Sequence, residues 1–425
     1  MSWATIPLKR IAVLTAGGTP AVGEPTYWSD GDEGHAWVSI SDMSSVDSVT
    51  TTTRRVSDAG LASARIALGD PGTLLFSMYA SLGHTAWLSS PAAWNQAILG
   101  LRSDSTTDAR FLRYSLVSLR STLLEQARSN TQSNLNAEQV GNLPIPRPPL
   151  DVQRRVADFL DAETSLIDGM VALRERQMEL LIEAGVSRVF ATIRGEHVLG
   201  DRKDSGLPWL GSVPKEWPVA AVSHHFDVDL GKMLNPERSR GDHLRPYLRV
   251  ANVQWGEIST EELLQMDFPP EDWRRYALRA GDLLVCEGGS WPGRAAIWDG
   301  SIPEIYYQKA LHRLRPRGIH LTQWLYYCLL AAERMSVFAV QGNSSTMTHL
   351  TREQLRPQRF PFPDIEVQRS AVTELDAAAV ADGELKRALT KQLTLLAERR
   401  QALITAAVTG QLDVTTARPA HDRDL

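Results

Sequence analysis

Residues 135–154 read LNAEQVGNLPIPRPPLDVQR, and residues 350–369 read LTREQLRPQRFPFPDIEVQR. The two stretches align without a gap at an offset of 215 residues. The register continues through Leu160/Leu375, Asp161/Asp376, Leu181/Leu396, Glu183/Glu398 and Ala191/Ala406 to Gly195/Gly410. Self-similarity at one fixed period marks a duplicated unit. Upstream the match is looser. Pro71–Phe76 resembles Ala280–Val285, Gln96 can be set against Gln308, and Phe111–Leu116 resembles Trp324–Leu329. Each half is therefore a divergent body of about 150 residues followed by a better-matched tail.

Each tail reads as one long helix. After the run Pro144-Ile145-Pro146-Arg147-Pro148-Pro149, no proline occurs until Pro208. Val156, Phe159, Leu166, Met170, Leu173 and Leu180 fall on steps of three and four, interrupted by polar Glu163 and Gln177, which is a coiled-coil stripe. The second tail, from about Ile365 to Val408, carries Leu375, Leu385, Leu389, Leu396 and Leu403 on a similar stripe. About 40 helical residues span roughly 60 Å. Neither stripe can be buried by its own helix, so the tails are expected to pair, antiparallel because a body lies between them in sequence. The bodies read as mixed α/β. Short apolar runs bounded by glycine, such as Thr73–Phe76 and Leu283–Val285, suggest strands, and 109–127 and 321–340 suggest helices. The expected fold class is α+β: two mixed α/β domains joined by two long helices in an antiparallel coiled coil, with a pseudo-twofold internal repeat.

The composition is that of an ordinary globular chain, with 43% hydrophobic and 22% charged residues among 425. No apolar run reaches the roughly 18 residues of a membrane span, and the N-terminus shows no leader-like pattern, so the expected compartment is the cytoplasm. Cys286 and Cys328 are too few for a disulfide framework or a cysteine-rich zinc site. Catalytic motifs fail one by one. Asp267-Phe268-Pro269-Pro270 and Arg147-Pro148-Pro149 have the wrong order for a methyltransferase tetrapeptide. Gly288-Gly289-Ser290-Trp291-Pro292-Gly293 lacks the Gly-Lys-Ser/Thr of a phosphate loop, and Pro363–Val367 lacks the lysine of a nuclease centre. His224-His225 would point to opposite faces of a strand, which argues for a solvent-facing pair and not a metal site.

Three stretches together resemble the specificity subunits of type I restriction–modification systems. They are Lys203–Trp217 (KDSGLPWLGSVPKEW), the paired Pro146…Leu150-Asp151-Val152-Gln153-Arg154 and Pro361…Ile365-Glu366-Val367-Gln368-Arg369, and Leu403–Leu412 (LITAAVTGQL). The resemblance covers nearly the whole chain. It implies a first target-recognition domain at 1–149, a conserved helical spacer at 150–200, a second target-recognition domain at 201–364, a second spacer at 365–412 and a tail at 413–425. It further implies a non-catalytic subunit that reads a bipartite, asymmetric site in double-stranded DNA. The implied partners are methylation subunits, two of them, and restriction (translocase) subunits. S-adenosylmethionine, ATP and Mg are expected on those partners, and no cofactor in this chain. The first domain departs from the simplest pattern: Ser77–Gly83 lacks the glycine and arginine pairing of Glu287–Arg294.

Base readout needs donors and acceptors that reach groove edges, with cations on phosphates. Matched loops offer Ser77, Tyr79, Ser81, Asn95 and Gln96 in the first body, and Ser290, Trp291, Arg294, Gln308 and Lys309 in the second. The polar tracts before the tails add Gln132 and Ser133, and Asn343 and Ser344. Of the 12 tryptophans, most are expected in cores or interfaces. A net charge of −5 is unusual for a DNA reader and predicts weak binding by this chain alone. If the helices act as a rigid spacer, the gap between the two half-sites should follow helix length. The alternative reading is a scaffold that holds two protein-interaction domains apart without touching DNA.

Overall fold

A computed structural model describes residues 3–31, 33–44, 46–79, 81–129, 134–233, 241–288, 292–340 and 349–414. The chain divides into two units, Met1–Glu175 with Thr390–Leu425, and Arg176–Leu389.

In unit 1 the main sheet holds β1 (Ala12–Ala16), β2 (Leu74–Ser77), β3 (Thr85–Leu88) and β4 (Ile98–Ser103). Their order is β1-β4-β2-β3, with the short strand Ser48–Val49 added in parallel beside β3. In unit 2, β5 (Phe226–Leu230), β6 (Leu283–Cys286), β7 (Ala295–Ile297) and β8 (Leu311–Pro316) repeat that order as β5-β8-β6-β7. A smaller sheet accompanies each. His35–Val38 pairs in parallel with Ala92–Trp94, and Leu244–Leu248 pairs in parallel with Tyr306–Tyr307. The looser half of the repeat thus kept its topology while its surface letters changed. Alternation explains why: β2 and β6 are buried on both faces, so only apolar character was held.

Each body is closed by an antiparallel strand pair next to a long helix. Thr5–Pro7 pairs with Pro144–Pro146, and Val219–Ala221 with Arg359–Pro361. Proline is tolerated there because a two-stranded ribbon leaves one edge of each strand without a partner. The long helices follow at once, α2 (Leu150–Arg194) and α4 (Ile365–Val408), and each meets a shorter helix, α1 (Ala109–Ser129) or α3 (Thr322–Arg334).

The matched Val-Gln-Arg letters have a physical role. Gln153 is buried, donates to Pro148 O at 2.9 Å and accepts from the Asp108 N–H at 2.9 Å. Gln368 does the same with Pro363 O at 2.7 Å and Leu321 N–H at 3.0 Å. One amide per unit therefore ties the start of the long helix to the start of the short one. Asp161 and Asp376 make a second matched tie: Tyr114 donates to Asp161 at 2.7 Å, and Tyr327 to Asp376 at 2.6 Å. Burial and the neighbouring carboxylate push both phenols up, Tyr114 to about 12.

The long helices pair within each unit. In unit 1, Val156, Ala157 and Leu160 of α2 share a core with Ile404, Ala407 and Val408 of α4, and Arg400 meets Asp168 at 3.2 Å. In unit 2, Val189 and Ile193 share a core with Val372 and Leu375, and Arg188 meets Asp382 at 2.8 Å. The start of α2 lies with the end of α4, and its end with the start of α4, so the pair is antiparallel.

The seam differs from the expected stripe. Leu166, Met170, Leu173 and Leu180 are exposed (49, 38, 66 and 47%), as is Leu385 on α4. The buried face of α2 runs one residue further round, through Leu160, Thr164 and Ile167 to half-buried Val171, Met178 and Leu181. The cause is the third helix. α1 places Phe111 and Tyr114 in the same core, so α2 turns toward α1 and α4 together and not toward α4 alone. Ile167→Ala is accordingly expected to cost about 2–5 kcal/mol as a core truncation. Leu173→Asn should stay within about 0.5 kcal/mol. Denaturant unfolding of the two variants side by side checks this, and equal losses would restore the expected stripe.

Candidate nucleic-acid interface

The main sheet of each unit ends in a close backbone crossing that positions the polar loops. In unit 1, β1 runs into Gly17-Gly18-Thr19, which lie against Trp94-Asn95-Gln96. Gly18 N–H donates to Trp94 O at 2.9 Å, and a Cβ on Gly17 would stand 2.2 Å from Asn95 O. In unit 2, β5 runs into Gly231-Lys232 against Gln308-Lys309. Lys309 N–H donates to Lys232 O at 2.9 Å, and a Cβ on Gly231 would stand 2.4 Å from the Gln308 carbonyl carbon. Only glycine allows backbone to approach backbone this closely. Sequence reasoning missed this pair. Its signal was present as two glycines at equivalent strand ends, without the identity of neighbours that made the tails legible.

Around this crossing the candidate residues separate into two groups. Ser77 is buried and donates its hydroxyl to Tyr79 O at 2.7 Å. Asn95 spends its side-chain oxygen on the Ala97 N–H at 2.8 Å, fixing the turn. Arg294 donates to Gln254 Oε1 at 3.0 Å and to Val250 O at 3.1 Å, and so braces the loop 250–254. These three act within their own unit. Gln96 is exposed and accepts from the Thr19 hydroxyl, while Tyr79, Ser81, Gln308 and Lys309 are half-buried around the crossings. Gln132, Ser133, Ser290, Trp291, Asn343 and Ser344 lie outside the described residues.

Charge near the crossings is largely spoken for. Lys232 is buried, donates to Asp267 O at 2.6 Å, pairs with Asp272 at 2.7 Å and sits 4.9 Å from the Phe268 ring centroid. His84 is held below the usual histidine range by burial and the nearby Arg120 charge. Burial raises the Cys286 thiol against the opposing pull of Arg294. Both cysteines are buried and free.

Two further expectations meet the structure here. His224 and His225 belong to a short helix, Val222–His225, and not to a strand. His224 is exposed, but His225 turns inward, with its ring 4.1 Å from His320 and 4.5 Å from Phe362. Burial and the neighbouring imidazoles lower the His225 pKa. Among the described residues no group of three or more histidine, cysteine, aspartate or glutamate side chains could hold a metal. Of the tryptophans, Trp37, Trp94 and Trp298 are core residues, whereas Trp28 is half-exposed, with Arg54 stacked 3.6 Å from its ring centroid. No described helix is long and apolar enough to cross a membrane.

Comparison with known proteins agrees with this arrangement. Residues 2–174 match the family described as the type I restriction modification DNA specificity domain. The chain is 21% identical over 360 residues to the type I restriction enzyme EcoBI specificity subunit of Escherichia coli, covering 80% of this chain and 74% of that protein. It is 19% identical over 430 residues to the MjaIX specificity subunit of Methanocaldococcus jannaschii, covering 97% and 94%. Its fold matches a chain solved in a study of complex assembly and conformational transition of the type I R-M system, with a TM-score of 0.73 at 19% identity over 97% of this chain and 98% of that one. It also matches the HsdS subunit from Thermoanaerobacter tengcongensis, with a TM-score of 0.51 at 18% identity over 97% of each. With a match to the specificity-domain family over residues 2–174, the same strand order repeated in its second half, and similar proteins that are themselves specificity subunits, the chain is similar in sequence and fold to the specificity subunits of type I restriction–modification systems.

Proposed function

We propose that this chain reads a bipartite, asymmetric site in double-stranded DNA, each unit's body reading one half. The observation that carries this is the duplicated crossing, Gly17 against Asn95 and Gly231 against Gln308, which sets a polar loop at the same place on two bodies whose loop residues differ. One frame with two sets of side chains suits two different half-sites. Gln96 and Gln308 carry amides of the kind that pair with adenine, and Lys309 a cation for guanine or phosphate. Tyr79 and Ser81 follow Met78, whose N–H donates to Ala97 O at 2.8 Å beside the first loop, and belong to the proposed set on that ground. Ser77, Asn95 and Arg294 support the loops from within. The tracts holding Gln132, Ser133, Asn343 and Ser344, and the loop holding Ser290 and Trp291, belong to the proposed contact set on their sequence alone.

The helices give the chain its second role, which is to recruit methylation subunits and, through the complex, restriction subunits. Matched exposed apolar residues on their outer faces, Met170 with Leu385 and Leu180 with Leu395, are suited to docking. S-adenosylmethionine, ATP and Mg belong to those partners in this reading, and none to this chain. A net charge of −5 fits a reader whose partners supply part of the phosphate contact. Selection from randomised duplexes with the methylation partner present should enrich two short blocks around a fixed unspecified gap. A pool that stays random, with the complex assembled, would favour the scaffold reading.

A further inference from the structure

Three indoles hold the loop that follows β1. Trp94 Nε1 donates to Thr15 O at 3.3 Å, Trp37 Nε1 to Gly18 O at 3.0 Å and Trp28 Nε1 to Ala21 O at 3.2 Å. These carbonyls bracket Gly17-Gly18-Thr19, the segment whose threonine hydroxyl meets Gln96. A covered indole N–H needs an acceptor, so the loop supplies the acceptors and the rings fix its path. Trp28 and Trp37 also meet edge to face, with centroids 5.1 Å apart and planes at 88°.

Arg54 lies over these two rings. It belongs to the strand Arg54–Val56, which runs between Trp28–Ser29 and His35–Val38, and it is the register partner of Trp37. Its guanidinium carbon is 3.6 Å from the Trp28 ring centroid and 5.9 Å from that of Trp37. Stacking fixes the guanidinium plane without using its N–H groups. Among the described residues those groups find no hydrogen-bond acceptor and no carboxylate. Nearby arginines differ in this. Arg55 donates to Glu33 O at 2.7 Å and Gly34 O at 2.6 Å, and Arg102 and Arg113 pair with Asp70 and Asp47. In unit 2, Arg245 also lies over a tryptophan, 5.6 Å from the Trp273 centroid, but it meets Glu304 at 3.4 Å.

We propose that Arg54, held by Trp28, grips a backbone phosphate beside the half-site that the first body reads. The proposal rests on the DNA reading above and adds a residue that fixes register without carrying sequence information. A planar fork of free donors matches phosphate oxygens. Arg54 stands on the sheet that frames the loop and not on the loop, so it meets the duplex to one side of Gln96. Trp28 serves both, since one face carries the cation and its N–H holds Ala21 O, and it therefore sets the phosphate grip and the reading loop in one fixed relation.

Fluorescence anisotropy of the full chain with its methylation partner tests this, on the selected duplex and on duplexes altered in the first block, between about 50 and 200 mM salt. Arg54→Met keeps the ring covered and removes the charge. Affinity should fall about tenfold at low salt, by the same factor on every duplex. The slope of log K against log salt should flatten by about 0.9, the share of one phosphate. Arg54→Lys keeps the charge and should restore the slope, with part of the affinity still lost because the stacked fork is gone. Trp28→Leu frees cation and loop together, and should lower affinity and relax the first block at once. Wild-type binding by either Arg54→Met or Trp28→Leu would overturn the proposal while leaving the DNA reading intact. So would an Arg54→Met chain that loses discrimination at the first block with its salt slope unchanged, the result for a base contact or a packing role. A wild-type complex that binds no duplex at any salt would remove the DNA reading and this proposal together.

Discussion

A chimaera that takes residues 1–145 from a type I specificity subunit is expected to direct its methylation partners to a site with one block replaced and the other unchanged. The cores make the exchange separable. The first body is built on clusters around Phe76, Leu101 and Leu116, and around Val38, Leu88 and Trp94, and none of their residues belongs to unit 2. The second body has its own, around Trp298 and Tyr307. The junction is favourable too. Thr5–Pro7 and Pro144–Pro146 form one strand pair, so an exchange through Ile145 moves nearly the whole ribbon together. The exchanged body still has to meet the retained helices through the core that Phe111 and Tyr114 share with Val156 and Ile404, the Tyr114–Asp161 bond, and the clamp from Gln153 to the start of α1. That clamp uses the backbone N–H of Asp108 and the carbonyl of Thr106, which a donor backbone also supplies, and the carbonyl of Pro148, which is retained. Methylation mapping across a genome reads both blocks at once. If both blocks changed, the bodies would not be independent readers.

Adding a side chain at either crossing should be nearly as severe. In Gly17→Val or Gly231→Val the new atoms meet backbone, Asn95 O or the Gln308 carbonyl, which cannot swing aside as a side-chain tip can. The loop must shift, and with it Gln96 or Gln308 and Lys309. Losing two or more base contacts at roughly 1–3 kcal/mol each predicts at least about a thirtyfold fall in affinity for the specific site. Each variant should lose discrimination at its own half-site only. Gly169→Ala is the control: a Cβ there meets nothing within 4 Å, and alanine inside a helix stabilises by roughly 0.5–1 kcal/mol relative to glycine. Fluorescence anisotropy with duplexes altered in one block at a time separates the outcomes. Undiminished discrimination in both glycine variants would mean that the crossings do not position the reading loops.

The sequence by itself determined the duplication, the two long helices and the pairing of α2 with α4. Those features repeat as letters at one offset, and a helix of more than 40 residues announces itself through the absence of proline over its length. It also marked Gln153/Gln368 and Asp161/Asp376 as matched positions, without showing why. Only the tertiary structure showed the amide that ties helix to helix and the tyrosine that meets each aspartate, because both partners lie about 45–50 residues away in sequence. The buried face of α2 was likewise decided by a distant neighbour. Periodicity alone cannot distinguish a seam from an apolar ridge one residue round, and α1 joins the core at Val156 and Leu160, on the face where Ile167 is buried while Leu173 stands in water. The polar candidates divided for the same reason. Whether Ser77, Asn95 or Arg294 turns outward depends on which backbone groups lie within reach. That reach is set by the path of strands that meet only in the folded chain.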